Sequence, residues 1–101
     1  MNIIEDKLTN IEEICRRYYV DGLAVFGSVL TDRFSTSSDV DFVVIFKNVS
    51  IDKYADNYFL MHNELEHLLN RNVDLLEYEA IRNPILRNNI DSTKKVIYGR
   101  I

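Results

Sequence analysis

Residues Asp39 to Phe46 read DVDFVVIF. In an extended chain successive side chains point to opposite faces, so Val40, Phe42, Val44 and Phe46 share one face. Asp39, Asp41, Val43 and Ile45 share the other. Beyond Asp41 both faces are apolar. Such a strand needs cover above and below, which places it at the centre of a sheet packed on two sides. Its first residues also set two carboxylates side by side on one face. Their mutual repulsion has to be offset by something, and a divalent cation held by oxygen ligands does so naturally.

The rest of the chain supplies the layers. Ile3 to Tyr19 predicts a helix, because Leu8, Ile11, Ile14, Cys15 and Tyr18 recur at steps of three and four and form one buried stripe. Glu12–Arg16 and Glu13–Arg17 are i,i+4 pairs in the favourable order, each contributing about 0.3 kcal/mol. Asp21-Gly22 is expected to stop this helix and turn the chain. Leu23 to Phe26 (LAVF) reads as a short buried strand ended by Gly27-Ser28. Val29 to Arg33 has room for about one helical turn, and Ser35 to Ser38 (STSS) is a polar loop.

Asp52 to Asn70 predicts a second long helix, with Tyr54, Tyr58, Met61, Leu65 and Leu68 on its apolar stripe. Val73 to Tyr78 (VDLLEY) is a strand with Asp74 at its second position. Asn83-Pro84 reads as an N-cap and first helical residue, opening a short helix from Pro84 to Ile90. Val96 to Tyr98 predicts an edge strand ended by Gly99. Helices and strands alternate, so the expected class is α/β (α+β), a mixed sheet of 3–4 strands packed by helices. Parallel strands on either side of Asp52–Asn70 would carry that helix across the sheet.

The chain has 101 residues, of which 47% are apolar. That length suits one domain over residues 1–101, with a core of its own. The net charge is −4, the wrong sign for a dedicated nucleic-acid binder. One cysteine, Cys15, allows no internal disulfide, so the fold needs no oxidising compartment. Met1 to Lys7 already carries Glu5 and Asp6 and does not resemble a signal peptide, and no stretch approaches about 20 apolar residues. A cytoplasmic protein with no membrane association is the expectation.

Gly27-Ser28 follows a buried strand. A glycine there lets a phosphate approach the backbone, and a helix opening at that point supplies free N–H groups. If the strands carrying Asp41 and Asp74 begin level with one another, Asp74 joins Asp39 and Asp41 at one sheet edge. Three carboxylates so placed suit two Mg²⁺ ions about 3.5–4 Å apart, the arrangement used for phosphoryl and nucleotidyl transfer.

Gly27-Ser28, ten residues, then Asp39-Val40-Asp41 resembles the G-S-x(10)-D-x-D signature of the DNA polymerase β nucleotidyltransferase superfamily. Asp74 in VDLL matches the third acid. The small size is similar to that of the minimal nucleotidyltransferases, and Asn83-Pro84-x-Leu86-Arg87 resembles a feature of their tails. The resemblance runs from about Gly22 to Tyr98. It implies transfer of a nucleoside monophosphate, AMP from ATP, to an acceptor hydroxyl. It implies that Asp39 and Asp41 bind both Mg²⁺ ions, that Asp74 binds the catalytic ion and helps deprotonate the acceptor, and that Gly27 and Ser28 hold the triphosphate. It further implies an antitoxin that adds AMP to a tyrosine of a HEPN-domain toxin. One departure is Val29, where many members carry Arg; Arg33 is a candidate replacement.

Two other readings belong to different classes. A non-catalytic antitoxin would neutralise its partner by contact alone, and a small-molecule (aminoglycoside-type) nucleotidyltransferase would need acceptor-binding surface from a dimer or second chain. Oligomeric state stays open, a homo-oligomer included. His62 and His67 lie about 140° apart around a helix and cannot share a metal from one turn. Cys15 reads as core, and Ser28 has no neighbouring base to activate it. Tyr54, Tyr58 and Met61 read as core. Arg82, Arg87, Lys94 and Lys95 read as solvated charge, and Asp6, Asp21, Asp32, Asp52, Asp56 and Asp91 as caps, turns and surface charge.

Overall fold

The computed structural model describes every residue except Met1, Asp32 and Thr36, and the backbone alone for Asn2. The elements are α1 (Asn2–Asp6), α2 (Leu8–Arg17), β1 (Val20–Phe26), β2 (Val40–Phe46), α3 (Ile51–Leu69), β3 (Val73–Glu77), α4 (Pro84–Thr93) and β4 (Lys95–Gly99). Two short 3-10 turns cover Gly27–Leu30 and Tyr78–Ala80. The strands form one mixed sheet in the order β3-β2-β1-β4. β2 runs antiparallel to β1 and parallel to β3, and β4 closes the other edge antiparallel to β1. This is the small α+β sheet packed by helices that the alternating pattern predicts.

β2 is interior, as its two apolar faces require. Val40, Phe42 and Val44 lie in the main core with Leu23 and Val25 of β1, Val73 and Leu75 of β3, Ile11, Ile14 and Cys15 of α2, and Met61 and Leu65 of α3. On the opposite face Val43 and Ala24 pack with Ile90 of α4, flanked by Phe26 and Leu76. The odd-numbered side of β2, which carries Asp41, therefore faces α4. The even-numbered side faces α2 and α3.

Three local expectations are corrected. The first helix is two helices, because the chain breaks at Lys7 (φ −114°, ψ 13°). Ile4 and Leu8 would share a face in one continuous helix. The break instead lets Ile4 sink into the core while Leu8, expected on the buried stripe, stays 37% exposed. Asp21-Gly22 is not a turn but lies within β1; Tyr19, with φ 59°, makes the reversal. Arg17 reaches across to Glu64 of α3, which also accepts from the Tyr18 hydroxyl. The Arg17 charge thus ties α2 to α3 rather than to its own helix. Asp32, read as a turn residue, lies outside the described residues.

Sequence signals at the later boundaries hold. Asn83 caps α4, its side-chain oxygen accepting from Ile85 N at 2.9 Å and Leu86 N at 3.2 Å, with Pro84 in the first turn. The helix runs on past Ile90 to Thr93. α3 ends at Asn70 in the left-handed region (φ 52°), which returns the chain into β3.

Candidate active site

The site is built where β1 ends and β2 and β3 begin. β1 delivers Phe26 in extended conformation, and Gly27 then turns the chain with φ 76°. Only glycine adopts that conformation without strain. The turn from Gly27 to Leu30 is a single 3-10 turn, not the opening of a longer helix, so what it offers a ligand is local backbone N–H groups rather than a helix dipole. Thr31 holds the turn, its backbone N–H and its hydroxyl both donating to Ser28 O at 2.9 Å. Val29 is buried in the main core. Its side chain is thus committed to packing. Arg33 is exposed.

Phe26 pairs with Asp41 in the β1–β2 ladder, and Asp41 pairs with Asp74 in the β2–β3 ladder. The two strands do begin level, as a shared site requires. Asp41 leans back over the glycine: a Cβ built on Gly27 would lie 2.5 Å from Asp41 Oδ2. Asp39 sits just before the strand and is exposed, as is Asp74. Burial pushes the Asp41 carboxyl above the usual carboxylate range, and the charges of Asp74 and Asp39 push it the same way. Asp41 is therefore in electrostatic contact with both of the other acids.

These are hard oxygen donors that repel one another until a cation intervenes. Among the described residues no three His, Cys, Asp or Glu side chains come together as a group that could hold a metal ion, so the expected three-carboxylate cluster of Asp39, Asp41 and Asp74 is not assembled on its own. An open carboxylate edge fits Mg²⁺ well, because Mg²⁺ is usually held by one or two carboxylates together with substrate phosphates and water.

Two cavities flank the acids. One, of about 590 Å³, lies between the Gly27 turn and α4, walled by Phe26, Leu30, Leu86 and Ile90 with Asn89 and Thr93 at polar positions. The other, of about 580 Å³, opens beside Asp39 and is polar, with Ser38, His67, Asn70 and Arg71 on its walls.

Residues kept out of the site by the sequence reading have structural work instead. His62 Nε2 lies 2.8 Å from Val73 O. The Tyr58 hydroxyl donates to Leu75 O at 2.5 Å. Cys15 is fully buried, which pushes its thiol up to about 12. Arg87 lies over the Tyr78 ring at 4.2 Å, and Tyr78 donates to Asp91 at 2.6 Å. Arg71 had no signal in the sequence: it sits in a turn of Asn-Arg-Asn, and its contacts are made to a loop more than thirty residues away.

The sequence matches the family described as "Polymerase beta, Nucleotidyltransferase" over residues 9–100. The chain belongs to that family. A nucleotidyltransferase of Methanocaldococcus jannaschii, named "Putative protein adenylyltransferase MJ0128", is 32% identical over 89 residues, which are 87% of this chain and 88% of the relative. Among solved structures, a toxin–antitoxin complex with AMP-PNP superposes with a TM-score of 0.72 at 18% identity, over 92% of this chain and 73% of that one. A complex of tri-AMPylated Shewanella oneidensis HEPN toxin with MNT antitoxin superposes with a TM-score of 0.67 at 16% identity, over 95% and 72% of the two chains. The known structures that share the fold of this nucleotidyltransferase include chains of toxin–antitoxin complexes. Among the described residues no helix is long and apolar enough to cross a membrane.

Proposed function

We propose that this nucleotidyltransferase transfers AMP from ATP to a tyrosine hydroxyl of a HEPN-domain toxin and so acts as its antitoxin. The observation that carries the chemistry is the level pairing of Asp41 with Asp74 beside Gly27. Asp39 and Asp41 would hold both Mg²⁺ ions, and Asp74 would bind the catalytic one. Bound there, Mg²⁺ neutralises charge on the transferring phosphoryl group and lowers the pKa of the attacking hydroxyl. Gly27 and Ser28 hold the triphosphate, the glycine by leaving room for it and the turn by presenting backbone N–H groups.

The acceptor oxygen forms a new bond to the α-phosphorus while the bond from that phosphorus to the β-bridging oxygen breaks. Pyrophosphate leaves. The hydroxyl proton passes toward Asp74 and then to water. Reading the acceptor as a protein rests on the names of the relatives, which are protein adenylyltransferases, and on the AMPylated toxin beside a neighbour of the same fold. The chain itself offers little surface to enclose a small acceptor.

The test is incubation of the purified protein with MgCl₂, labelled ATP and its HEPN partner, followed by intact mass. One or more AMP units on the partner, absent with Asp39→Asn, is the expected result. A stable complex with no mass gain would replace this reading with neutralisation by contact alone.

A further inference from the structure

Asp39 is delivered by a polar loop, and the structure shows what holds that loop. Arg71, in the turn between α3 and β3, donates from one guanidinium nitrogen to Ser35 O at 2.6 Å and to Ser38 O at 3.0 Å. Its guanidinium carbon lies 4.4 Å from the centroid of the Phe34 ring. Phe34 in turn packs against the main core. Ser38 is the residue before Asp39. Ser38 N also donates to Ser35 O at 3.1 Å, so the two carbonyls that Arg71 takes are the two ends of one tight turn. Among the described residues, Arg71 makes every hydrogen bond that ties residues 33–38 to a distant part of the chain.

The anchor is itself fixed. Arg71 N donates to Glu66 O at 3.3 Å, and the Glu66 carboxylate accepts from Val73 N at 2.9 Å. Asn72 O accepts from Val40 N at 3.1 Å, immediately after Asp39. The same turn leads within three residues to Asp74. One guanidinium therefore spans the two segments that carry acids of the site.

We propose that Arg71 is a positioning residue that sets the Asp39 carboxylate in register with Asp41 and Asp74 for cation binding. The proposal rests on the metal-dependent reading of the site given above. Without the anchor, a serine-rich loop samples many conformations, and each binding event must order it afresh. Arginine suits the task because one nitrogen of its planar guanidinium reaches both carbonyls while the face of the same group stacks on a ring; a lysine ammonium does only the first.

Mn²⁺ serves as the probe, read by electron paramagnetic resonance in the presence of α,β-methylene ATP, which cannot transfer AMP. Arg71→Ala should weaken Mn²⁺ binding about 10-fold, the scale of losing a group that orients a metal ligand. Arg71→Lys should fall between it and the parent. Because Arg71 acts through Asp39, the double variant Arg71→Ala/Asp39→Asn should bind no more weakly than Asp39→Asn alone. Unchanged Mn²⁺ binding in Arg71→Ala, or losses that simply add in the double variant, overturns the proposal. Should the alanine variant fail to fold, Arg71→Lys carries the same cycle and is judged by the same additivity. A parent protein that binds no Mn²⁺ overturns the metal reading itself, a result distinct from either of those.

Discussion

Asp41 and Asp74 are register partners on adjacent parallel strands, and the Asp41 carboxylate lies against Gly27. The ladder holds the Cα atoms of these two acids side by side, so part of their repulsion is built into the fold. The carboxyl of Asp41 is raised by burial first and by Asp74 and Asp39 next.

The sign of the pH effect follows. A carboxyl whose native pKa lies above its unfolded value favours the folded state most below the unfolded value near 3.9. That contribution is lost as pH rises through the raised native value. At neutral pH in metal-free buffer Asp41→Asn should therefore raise Tm by about 1–4 °C, a fraction of a kcal/mol once solvent screening of this half-buried group is allowed for. Millimolar MgCl₂ with nucleotide should raise the Tm of the parent and leave that of Asp41→Asn unmoved. Thermal melts from pH 4 to 8, with EDTA or MgCl₂, decide it; a variant less stable than the parent at neutral pH without metal would contradict the built-in repulsion.

Gly27→Ala meets two obstacles. At φ 76° an alanine is strained by about 1–2 kcal/mol. Its Cβ would also stand 2.5 Å from Asp41 Oδ2, which is the free end of a side chain and can move. The fold should survive, destabilised by about that strain, while the carboxylate is displaced. AMP transfer should drop by about 100-fold, the cost of a misplaced group at a reacting centre. Chemical denaturation beside a transfer assay separates the two; retained activity would show that the Asp41–Gly27 contact is incidental.

α4 forms one wall of the cavity beside the Gly27 turn, and Asn83 caps it. Asn83→Ala removes acceptors from two backbone N–H groups and should cost about 1 kcal/mol. Fraying of that wall should raise KM for the nucleotide more than it lowers kcat. An unchanged denaturation midpoint would show that Pro84 alone sets the helix start.

Cys15 is fully buried with its thiol pushed up to about 12. At pH 8 the native protein should resist iodoacetamide, since the thiolate is the reactive form. In guanidinium chloride the label should go on to completion. Rapid labelling of the folded chain, read by intact mass, would place the thiol outside the core.

Much of the site was legible in the chain itself, and the reason is local. Alternation along DVDFVVIF sorts Asp41 and Val43 from Phe42 and Val44 whatever the strand's neighbours are. Gly27-Ser28 after a buried strand declares a place where a phosphate can approach the backbone, and Asn83-Pro84 declares a helix start by capping chemistry. Errors arose where packing overrode local preference. The stripe through Leu8 predicted one helix, but burying Ile4 against the sheet needed a break at Lys7. Asp21-Gly22 has the composition of a turn, yet pairing with β2 and β4 drew it into β1.

By itself the sequence determined the pieces: a two-sided strand carrying two acids, a third acid on a later strand, a glycine turn between, and the family to which they belong. Only the tertiary structure decided that Asp41 and Asp74 stand level, because register depends on how α3 returns the chain to the sheet. It alone also placed Arg71 against Ser35 and Ser38, since two carbonyls and a ring brought together from more than thirty residues away leave no periodic mark in sequence.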